Sequence, residues 1–268
     1  MQPPMTPAEE AYQRLAPFYD ELTREHDYDG WTRNLEEGAL QFGVRGRRLF
    51  DAACGTGKSF LPFLERGWSV AGCDISAEMV ALARAKAPGA RLFVADMRAL
   101  DPVGSFDLIT CLDDSLNYLI DDGDLEAAFT SLALNLADDG VLVFDLNTLS
   151  TYRTTFARDM TLDGPEVFLA WRGRCAEDEE PGCVAELVIE AFGEIASGTY
   201  ERVTTRHLQR HHPRPEVESA LAAAGLRAVG VYGLLPDGSL DTGAVADDDL
   251  HHKLIYYARR VTKGGDPE

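Results

Sequence analysis

Apolar residues recur at helical spacing through the first forty residues of the chain. Over residues 6–24 they lie three or four positions apart, with Pro17 interrupting the series, and a second stretch over residues 28–42 is built around Trp31 and Leu35. This spacing places apolar side chains on one face of a helix, and a proline inside the series breaks it. The pattern predicts two short helices, which form a helical lid segment over residues 1–45.

The pattern changes at Arg47. Short apolar runs bounded by glycine, aspartate and proline now alternate with alanine-rich stretches of helical spacing, which is typical of consecutive strand–helix units. We therefore predict an α/β fold with a parallel, doubly wound, Rossmann-like sheet over residues 46–147. The predicted strands cover residues 47–53, 69–74, 91–95, 106–112 and 141–146, and the predicted helices cover residues 57–67, 77–87 and 124–137.

The alternation stops between residues 148 and 212. Three long runs rich in β-formers follow one another here without a helix: Val167–Trp171, Val184–Ile195 and Thr199–His211. They predict an antiparallel β insertion with a hairpin turn at Ala196–Gly198. Because the insertion follows the fifth strand, we expect it to reach the carboxyl edge of the sheet, where ligands bind in such folds. Its β-rich composition also makes it a candidate contact for a homodimer.

The last segment, residues 213–268, returns to the earlier pattern. A helix is predicted over residues 215–224, ending at Gly225, and strands are predicted over residues 226–233 and 253–261. Together with the five strands of the core, these two complete a seven-stranded sheet.

The charge of the chain restricts its partners. Its 268 residues include 25 of lysine or arginine and 45 of aspartate or glutamate, which gives a formal net charge of −20 and a pI near 4.6. An acidic surface repels phosphate backbones and anionic membranes, so a nucleic-acid partner is disfavoured, although the stretch Arg202–Arg214 leaves a local basic patch open. No apolar run approaches the ~18 residues of a membrane span, and the first residues lack a secretory signal. We expect a soluble, cytoplasmic protein.

The cysteines and histidines are spaced unlike metal ligands. No CxxC pair or His/Cys cluster is present, and the adjacent pairs His211–His212 and His251–His252 point apart on any regular element. We therefore predict free thiols and no metal site. The five cysteines are Cys54, Cys73, Cys111, Cys175 and Cys183.

The stretch with the most chemical information follows the first strand. That strand runs directly into Cys54-Gly-Thr-Gly57, so the glycines occupy a tight turn where the backbone can approach a ligand. The second strand ends in Asp74, where α/β nucleotide sites place a carboxylate for a ribose diol, and the third ends in Asp96-Met97. Since Asp51, the turn and these carboxylates lie at the carboxyl ends of successive strands, they predict one binding site.

Two other cofactor classes fit the loop less well. The run Ala52-Ala-Cys-Gly-Thr-Gly-Lys58-Ser59 departs from a phosphate-binding GxxxxGK[ST] loop, because Ala52 stands where the first glycine belongs. A nicotinamide site needs GxGxxG, and Phe60 occupies the position of the third glycine.

Residues 47–147 resemble the class I methyltransferases that use S-adenosylmethionine. The family's hallmarks occur here in order: an acidic and glycine-containing loop, an acidic residue on each of the next two strands, an aspartate opening the fourth strand, and a turn leading into the fifth. They are Asp51-Ala-Ala-Cys-Gly-Thr-Gly57, Asp74, Asp96, Phe106-Asp107 and Ala137-Asp-Asp-Gly140. Ala53 replaces the family's first glycine, a change between small residues.

The resemblance implies roles for these residues. The backbone around Ala53, Gly55 and Gly57 is expected to line the methionine part of S-adenosylmethionine, and Asp74 to bind the ribose hydroxyls. Asp96 is expected to face the adenine amino group with Met97 beside it. Ile75 and Met79 are either adenine contacts or core side chains of the second helix.

The fourth strand is expected to lead to the methyl acceptor. It ends in Leu112-Asp113-Asp114, at the edge that holds the cofactor. Asp113 or Asp114 can orient or deprotonate an amine or hydroxyl, or either can cap the following turn. The stretch Tyr12–Trp31 resembles the helical lid of the family.

Three further candidates lie outside the core. Tyr19 and Trp31 are candidate contacts for the cofactor or the acceptor, or they pack the lid on the sheet. His207 is a candidate base, or it lies on a solvated strand face.

We therefore expect a methyltransferase that binds S-adenosylmethionine, releases S-adenosylhomocysteine, and methylates nitrogen or oxygen of a small metabolite. The resemblance is to bacterial small-molecule enzymes, including those that act on amino sugars, and the 21 arginines against 4 lysines are consistent with bacterial secondary metabolism. The alternatives are an RNA methyltransferase, because Asp114–Tyr118 is similar to a group of these, and a non-catalytic cofactor-binding protein of the same fold.

Overall fold

The computed structural model describes residues 5–164, 167–196 and 198–261. Six of the seven helices in these residues overlap a predicted helix. The seven are α1 (Pro7–Leu22), α2 (Tyr28–Gln41), α3 (Leu61–Glu65), α4 (Ala77–Lys86), α5 (Asp124–Asn135), α6 (Leu149–Thr154) and α7 (Arg214–Ala223). Across the described part of the chain, no helix is both long and apolar enough to cross a membrane.

The strands form two sheets. The larger one has the order β11-β10-β12-β5-β4-β1-β2-β3, and the smaller one has the order β6-β7-β8-β9. Their bounds are β1 (Arg48–Ala52), β2 (Ser69–Asp74), β3 (Arg91–Val94), β4 (Phe106–Cys111), β5 (Leu136–Asn147), β6 (Asp159–Asp163), β7 (Val167–Gly173), β8 (Val184–Ala196), β9 (Thr199–Arg210), β10 (Leu226–Leu234), β11 (Leu240–Asp241) and β12 (Lys253–Arg260).

The larger sheet confirms the predicted α/β fold. Its strands β3, β2, β1, β4 and β5 pair in parallel, and β12 and β10 continue the sheet in antiparallel pairing. The seven predicted strands are all present, and the two-residue strand β11 extends the edge beyond them. The connection between β1 and β4 through β2 and β3 places the carboxyl ends of all five parallel strands along one edge.

Three details differ from the predictions. Pro17 lies inside α1 and does not end it, because Leu15 and the neighbouring apolar side chains stay packed on the smaller sheet. The helix predicted over residues 57–67 is shortened to Leu61–Glu65, since residues 54–60 form turns around the glycine loop. The helix α6 and the strand β6 were not predicted, because both are short and β6 is largely exposed.

The smaller sheet is the predicted antiparallel insertion, and it lies against the carboxyl edge of the larger one. Its hairpin pairs Ala196 with Thr199, and Ser197 of the predicted turn lies outside the described residues. At its other end, Asn117 after β4 donates to the carbonyl of Arg210, and Asn147 at the end of β5 donates to Gln209. The homodimer and the division of the chain at residues 45, 147 and 212 stay predictions.

The N-terminal helix packs between the two sheets. Leu15 of α1 is buried in an apolar cluster with Tyr152, Phe156 and residues of β7, β8 and β9, such as Leu169 and Ile189. This packing on the insertion turns the opposite side of α1 toward the carboxyl edge of the larger sheet. The helix thereby forms one wall of the cavity described below.

Candidate active site

The glycine loop has the conformation that its small residues allow. Ala53, Gly55 and Gly57 all have positive φ angles, of 58°, 51° and 93°. A side chain is disfavoured at such angles, and a Cβ on Gly57 would also lie 2.8 Å from the ring of Phe60. The loop therefore stays close to the sheet and exposes its backbone to the cavity.

Asp51 supports this loop from beneath. Its side chain is buried, and its two oxygens accept hydrogen bonds of 2.6 Å from the hydroxyls of Thr110 and Ser59. Burial raises the pKa of Asp51 to about 7, against the opposing effect of these two hydrogen bonds. Asp51 does not line the cavity, and the geometry gives it the position of a loop support.

Asp74 ends β2 with its carboxylate beside the loop. One oxygen accepts from the backbone N–H of Gly55 and the other from that of Ser76, each at 2.9 Å. Burial raises its pKa, although these hydrogen bonds favour the ionised form. Its carboxylate lines the cavity and keeps further lone pairs for a ligand.

Asp96 follows β3 and forms an ion pair with Arg98. The guanidinium of Arg98 contacts both carboxylate oxygens of Asp96, and its remaining arm reaches Asp124 at 2.9 Å. Burial opposes ionisation of Asp96, but the hydrogen bonds from Arg98 outweigh it and lower its pKa. These three residues line the cavity together with Met97.

The loop, the strand ends and α1 enclose a cavity of about 1200 Å³, including its open mouth. Ten of the predicted site residues line it: Tyr19, Ala53, Gly55, Asp74, Ile75, Met79, Asp96, Met97, Leu112 and Asp113. Met79 is also almost fully buried, so it is a core side chain of α4, and its contact with the adenine stays a prediction.

Sequence reasoning missed an aromatic part of the wall. Tyr12, Tyr28 and Tyr118 line the cavity with Tyr19, and the hydroxyl of Tyr28 donates to Oδ2 of Asp113 at 2.7 Å. The ring of Tyr12 lies edge-on to that of Tyr118, with centroids 5.2 Å apart. These tyrosines come from α1, α2 and the turn after β4, and no pattern in the sequence indicated that they lie together.

The two candidate aspartates after β4 have different surroundings. Asp113 lines the cavity, whereas Asp114 is bonded to Lys253 at 2.6 Å and to the amide of Gln209. Asp114 is the N-cap residue of the next turn, but its side chain makes no capping hydrogen bond. Asp113 is therefore the one of the pair that the structure brings to the cavity.

His207 and Trp31 lie away from the cavity wall. His207 is 1% exposed, so its placement on a solvated strand face was wrong, and it contacts the cavity residue Tyr118 from behind. Trp31 packs on the apolar cluster beneath α2, and its ring centroid lies 6.2 Å from that of Tyr28. Gly57 likewise shapes the loop without lining the cavity.

Polar contacts fix the end of α1 to the glycine loop. The ammonium of Lys58 donates to the carbonyls of Thr23 and Asp20, at 2.8 and 3.2 Å, and the hydroxyl of Thr56 donates to the carboxylate of Asp20. Asp20 also forms an ion pair with Lys86 of α4. These contacts hold α1, which forms one wall of the cavity, against the glycine loop.

The site fits the cofactor that the family resemblance implies. The loop residues Ala53–Thr56, Asp74 and Asp96 line one cavity, with Ile75, Met79 and Met97 as apolar neighbours. Carboxylates suit the amino and hydroxyl donors of an adenosine, and they do not suit a triphosphate.

Known proteins agree with this assignment. A family model described as a methyltransferase domain matches residues 49–140. A putative methyltransferase of a Geobacillus species is 31% identical over 229 residues, which cover 82% of this chain and 90% of that protein.

Two solved structures share the architecture. One is an S-adenosylmethionine-dependent methyltransferase from Clostridium acetobutylicum, with a TM-score of 0.77, 25% identity and coverage of 93% of this chain and 98% of that one. The other is a sugar N-methyltransferase from Streptoalloteichus, with a TM-score of 0.70, 23% identity and coverage of 91% and 93%. The chain described here belongs to the class I methyltransferases that use S-adenosylmethionine as methyl donor.

Proposed function

We propose that this enzyme methylates the nitrogen of a small amine held between Asp113 and the tyrosines of the cavity wall. The observation that carries the proposal is the position of Asp113, which lines the cavity with one oxygen bonded to Tyr28. A carboxylate beside aromatic side chains suits an amine, since it accepts N–H hydrogen bonds and aromatic rings attract positive charge.

The chain's own residues supply alignment and a proton acceptor. S-adenosylmethionine, when bound, supplies an electrophilic methyl group on a sulfonium. Asp113 accepts a hydrogen bond from the amine, which fixes the direction of the nitrogen lone pair, and it can pass the proton released after methylation toward solvent. Burial of Tyr28 beside Asp113 raises the pKa of its hydroxyl, so it remains a hydrogen-bond donor to that carboxylate.

The charges of the cavity favour an acceptor without phosphate groups. Among the described residues that line it, the basic ones are Lys58 and Arg98, and both are already paired, Lys58 with α1 and Arg98 with two carboxylates. A phosphate would have to compete with these partners inside an acidic cavity. A neutral or cationic amine has no such cost.

The basic stretch Arg202–Arg214, on β9 and at the start of α7, offers no independent support for an RNA substrate. Its arginines contact carboxylates, so their charge is compensated on the surface. The pairs are Arg202 with Glu190, Arg206 with Glu186, Arg210 with Asp122 and Glu216, and Arg214 with Glu218.

A panel of acceptors tests the proposal. The protein is incubated with S-adenosylmethionine and small amines, amino sugars included because of the structurally similar sugar N-methyltransferase, next to the matching alcohols and transfer RNA. Mass spectrometry then identifies the methylated product. We expect methylation of amines, and methylation of the alcohols or the RNA in their place would contradict the proposal.

A pair of variants ties the activity to Asp113. Asp113→Asn keeps the size of the side chain but loses its charge, and we expect kcat to fall about 100-fold, the contribution of a positioned acid–base group. Asp122→Asn is the matched control, because the side chain of Asp122 is 96% exposed and lies nine residues further along the same segment. We expect the control to keep full activity.

A further inference from the structure

A buried chain of hydrogen bonds runs from the cavity into the insertion. It begins at Tyr12 on the cavity wall, whose hydroxyl lies 3.0 Å from that of Tyr118. The hydroxyl of Tyr118 lies 2.9 Å from Nδ1 of His207, and Nε2 of His207 lies 2.9 Å from the hydroxyl of Thr205. Both His207 and Thr205 are buried on β9.

The bond from Tyr12 leaves the hydrogen of Tyr118 unused. The oxygen of Tyr118 accepts from the hydroxyl of Tyr12. A hydroxyl carries one hydrogen, so that of Tyr118 is available to Nδ1 of His207. The other ring nitrogen of His207 then decides whether Nδ1 accepts it.

The surroundings of His207 set the direction. The hydroxyl of Thr205 donates to the carbonyl of Ile189 at 3.4 Å, so it accepts from Nε2 of His207, which carries the ring proton and leaves Nδ1 as the acceptor for Tyr118. Burial lowers the pKa of His207 to about 4, against the opposing charge of Asp114, so the ring is neutral near pH 7. A neutral imidazole with one donor and one acceptor is what the two neighbours require.

We propose that His207 is a positioning residue that acts on the methyl acceptor through Tyr118 and Tyr12. By accepting the hydrogen of Tyr118, it makes the Tyr118 oxygen an acceptor for Tyr12. The hydrogen of Tyr12 then points away from the cavity, and the Tyr12 oxygen presents its lone pairs to the ligand. The cavity wall at Tyr12 thus selects a group with an N–H to donate.

This role of His207 further restricts which molecule can serve as the methyl acceptor. Tyr12 and Asp113 both line the cavity, and both present acceptor atoms to it. A primary or secondary amine can donate a hydrogen to at least one of them and keep its lone pair for the methyl group, whereas a tertiary amine has no hydrogen to donate. The restriction to amines rests on the proposed function, but the direction of the hydrogen-bond chain does not.

The protonation state of His207 tests the direction without an acceptor. The probe is the full-length protein labelled with ¹⁵N at histidine and loaded with S-adenosylhomocysteine at pH 7, and its imidazole nitrogens are read by long-range ¹H–¹⁵N correlation. We expect a proton on Nε2 and none on Nδ1, and Tyr118→Phe assigns the signals because it changes the environment of Nδ1. A proton on Nδ1, or on both nitrogens, would overturn the proposal whatever the enzyme methylates.

Two substitutions of His207 test its effect on catalysis. In His207→Asn the side-chain oxygen can take the place of Nδ1 as acceptor, whereas His207→Leu removes the acceptor. With an amine from the panel, we expect His207→Leu to lower kcat about 10- to 100-fold, the effect of one oriented hydrogen bond. His207→Asn should regain most of this loss, and the KM for S-adenosylmethionine should stay within about twofold in both.

An equal loss in both variants would show that His207 only fills space, and would overturn the proposal. If His207→Leu does not fold, Tyr118→Phe interrupts the same chain from the cavity side and is expected to show the same loss of kcat. If no amine is methylated, the proposed function fails, and the correlation experiment still decides the direction of the chain.

Discussion

The ammonium of Lys253 donates a hydrogen bond of 2.7 Å to Oδ2 of Asp145, whose side chain is completely buried. A second bond of 2.6 Å joins Lys253 to Asp114, and the backbone N–H of Asp114 donates to the same oxygen of Asp145. Asp113 and Asp114 have φ angles of 58° and 51°, a conformation that costs free energy in residues other than glycine. The charged triad therefore holds the turn that presents Asp113 to the cavity.

Removing the cation of this triad should destabilise the protein strongly. Lys253→Met leaves the buried carboxylate of Asp145 facing the partly buried one of Asp114, and we expect the free energy of unfolding to fall by about 3–5 kcal/mol. Urea denaturation measures it. Arg33→Met is the control, since the ion pair of Arg33 with Asp29 is exposed and should contribute less than about 1 kcal/mol. Similar losses in the two variants would mean that the triad does not hold the turn.

Asp74 should be essential for cofactor binding. Its carboxylate lines the cavity and also fixes the N–H groups of Gly55 and Ser76, so Asp74→Ala removes a ligand contact and loosens the loop. We expect the Kd for S-adenosylhomocysteine, measured by calorimetry, to rise about 100-fold. Glu78→Ala serves as control, because Glu78 is exposed on the neighbouring helix. An unchanged Kd in Asp74→Ala would show that the cofactor site is misplaced.

The cofactor half of the site could be predicted from the sequence because it depends on local rules. Strand ends in a parallel sheet meet at one edge, so the positions of Asp74 and Asp96 along the chain were sufficient to bring them together. The small residues at 53–57 likewise indicated a tight turn, and their positive φ angles confirm it.

The part of the site that would bind the methyl acceptor depends on contacts between distant segments. The hydrophobic periodicity of the sequence does not predict such contacts. Tyr12 meets Tyr118 and His207 because α1 packs on the insertion, a contact over sequence separations of 106 and 195 residues for which no local pattern exists. Asp113 and Asp114 were indistinguishable in the sequence for a similar reason. The distant residues Lys253 and Gln209 hold the side chain of Asp114 away from the cavity.

The stability of the protein should depend on pH through Asp51. Its folded-state pKa of about 7 lies above the value of about 4 expected in the unfolded chain, so the folded state binds the proton more tightly. The resulting stabilisation is fully present below pH 4 and is lost as the pH rises to 7. For this group alone it amounts to about 4 kcal/mol.

Asp51→Asn removes this titration while keeping the shape of the side chain. The difference in unfolding free energy between variant and wild type, measured by urea denaturation from pH 4 to pH 8, should therefore shift in favour of the variant as the pH rises. Asp145, whose pKa burial raises to about 6, contributes in the same direction but is common to both proteins and cancels. A difference independent of pH would contradict the raised pKa of Asp51.

The polar contacts between the end of α1 and the glycine loop should control how fast the cofactor dissociates. Asp20 accepts from Thr56 of the loop and pairs with Lys86, and these contacts outweigh its burial and lower its pKa, so it is ionised at neutral pH. Asp20→Ala breaks both contacts and leaves the bonds from Lys58 to Thr23 in place.

Because α1 forms a wall of the cavity, loosening its end should open the path to solvent without changing the groups that bind the ligand. We expect S-adenosylhomocysteine to dissociate about 3- to 10-fold faster from Asp20→Ala in stopped-flow experiments, the effect of one or two partly exposed polar contacts. Glu25→Ala provides the control, since Glu25 is 79% exposed just beyond the end of α1. If both variants release the ligand at the wild-type rate, α1 is a fixed wall and the ligand leaves by another side of the cavity.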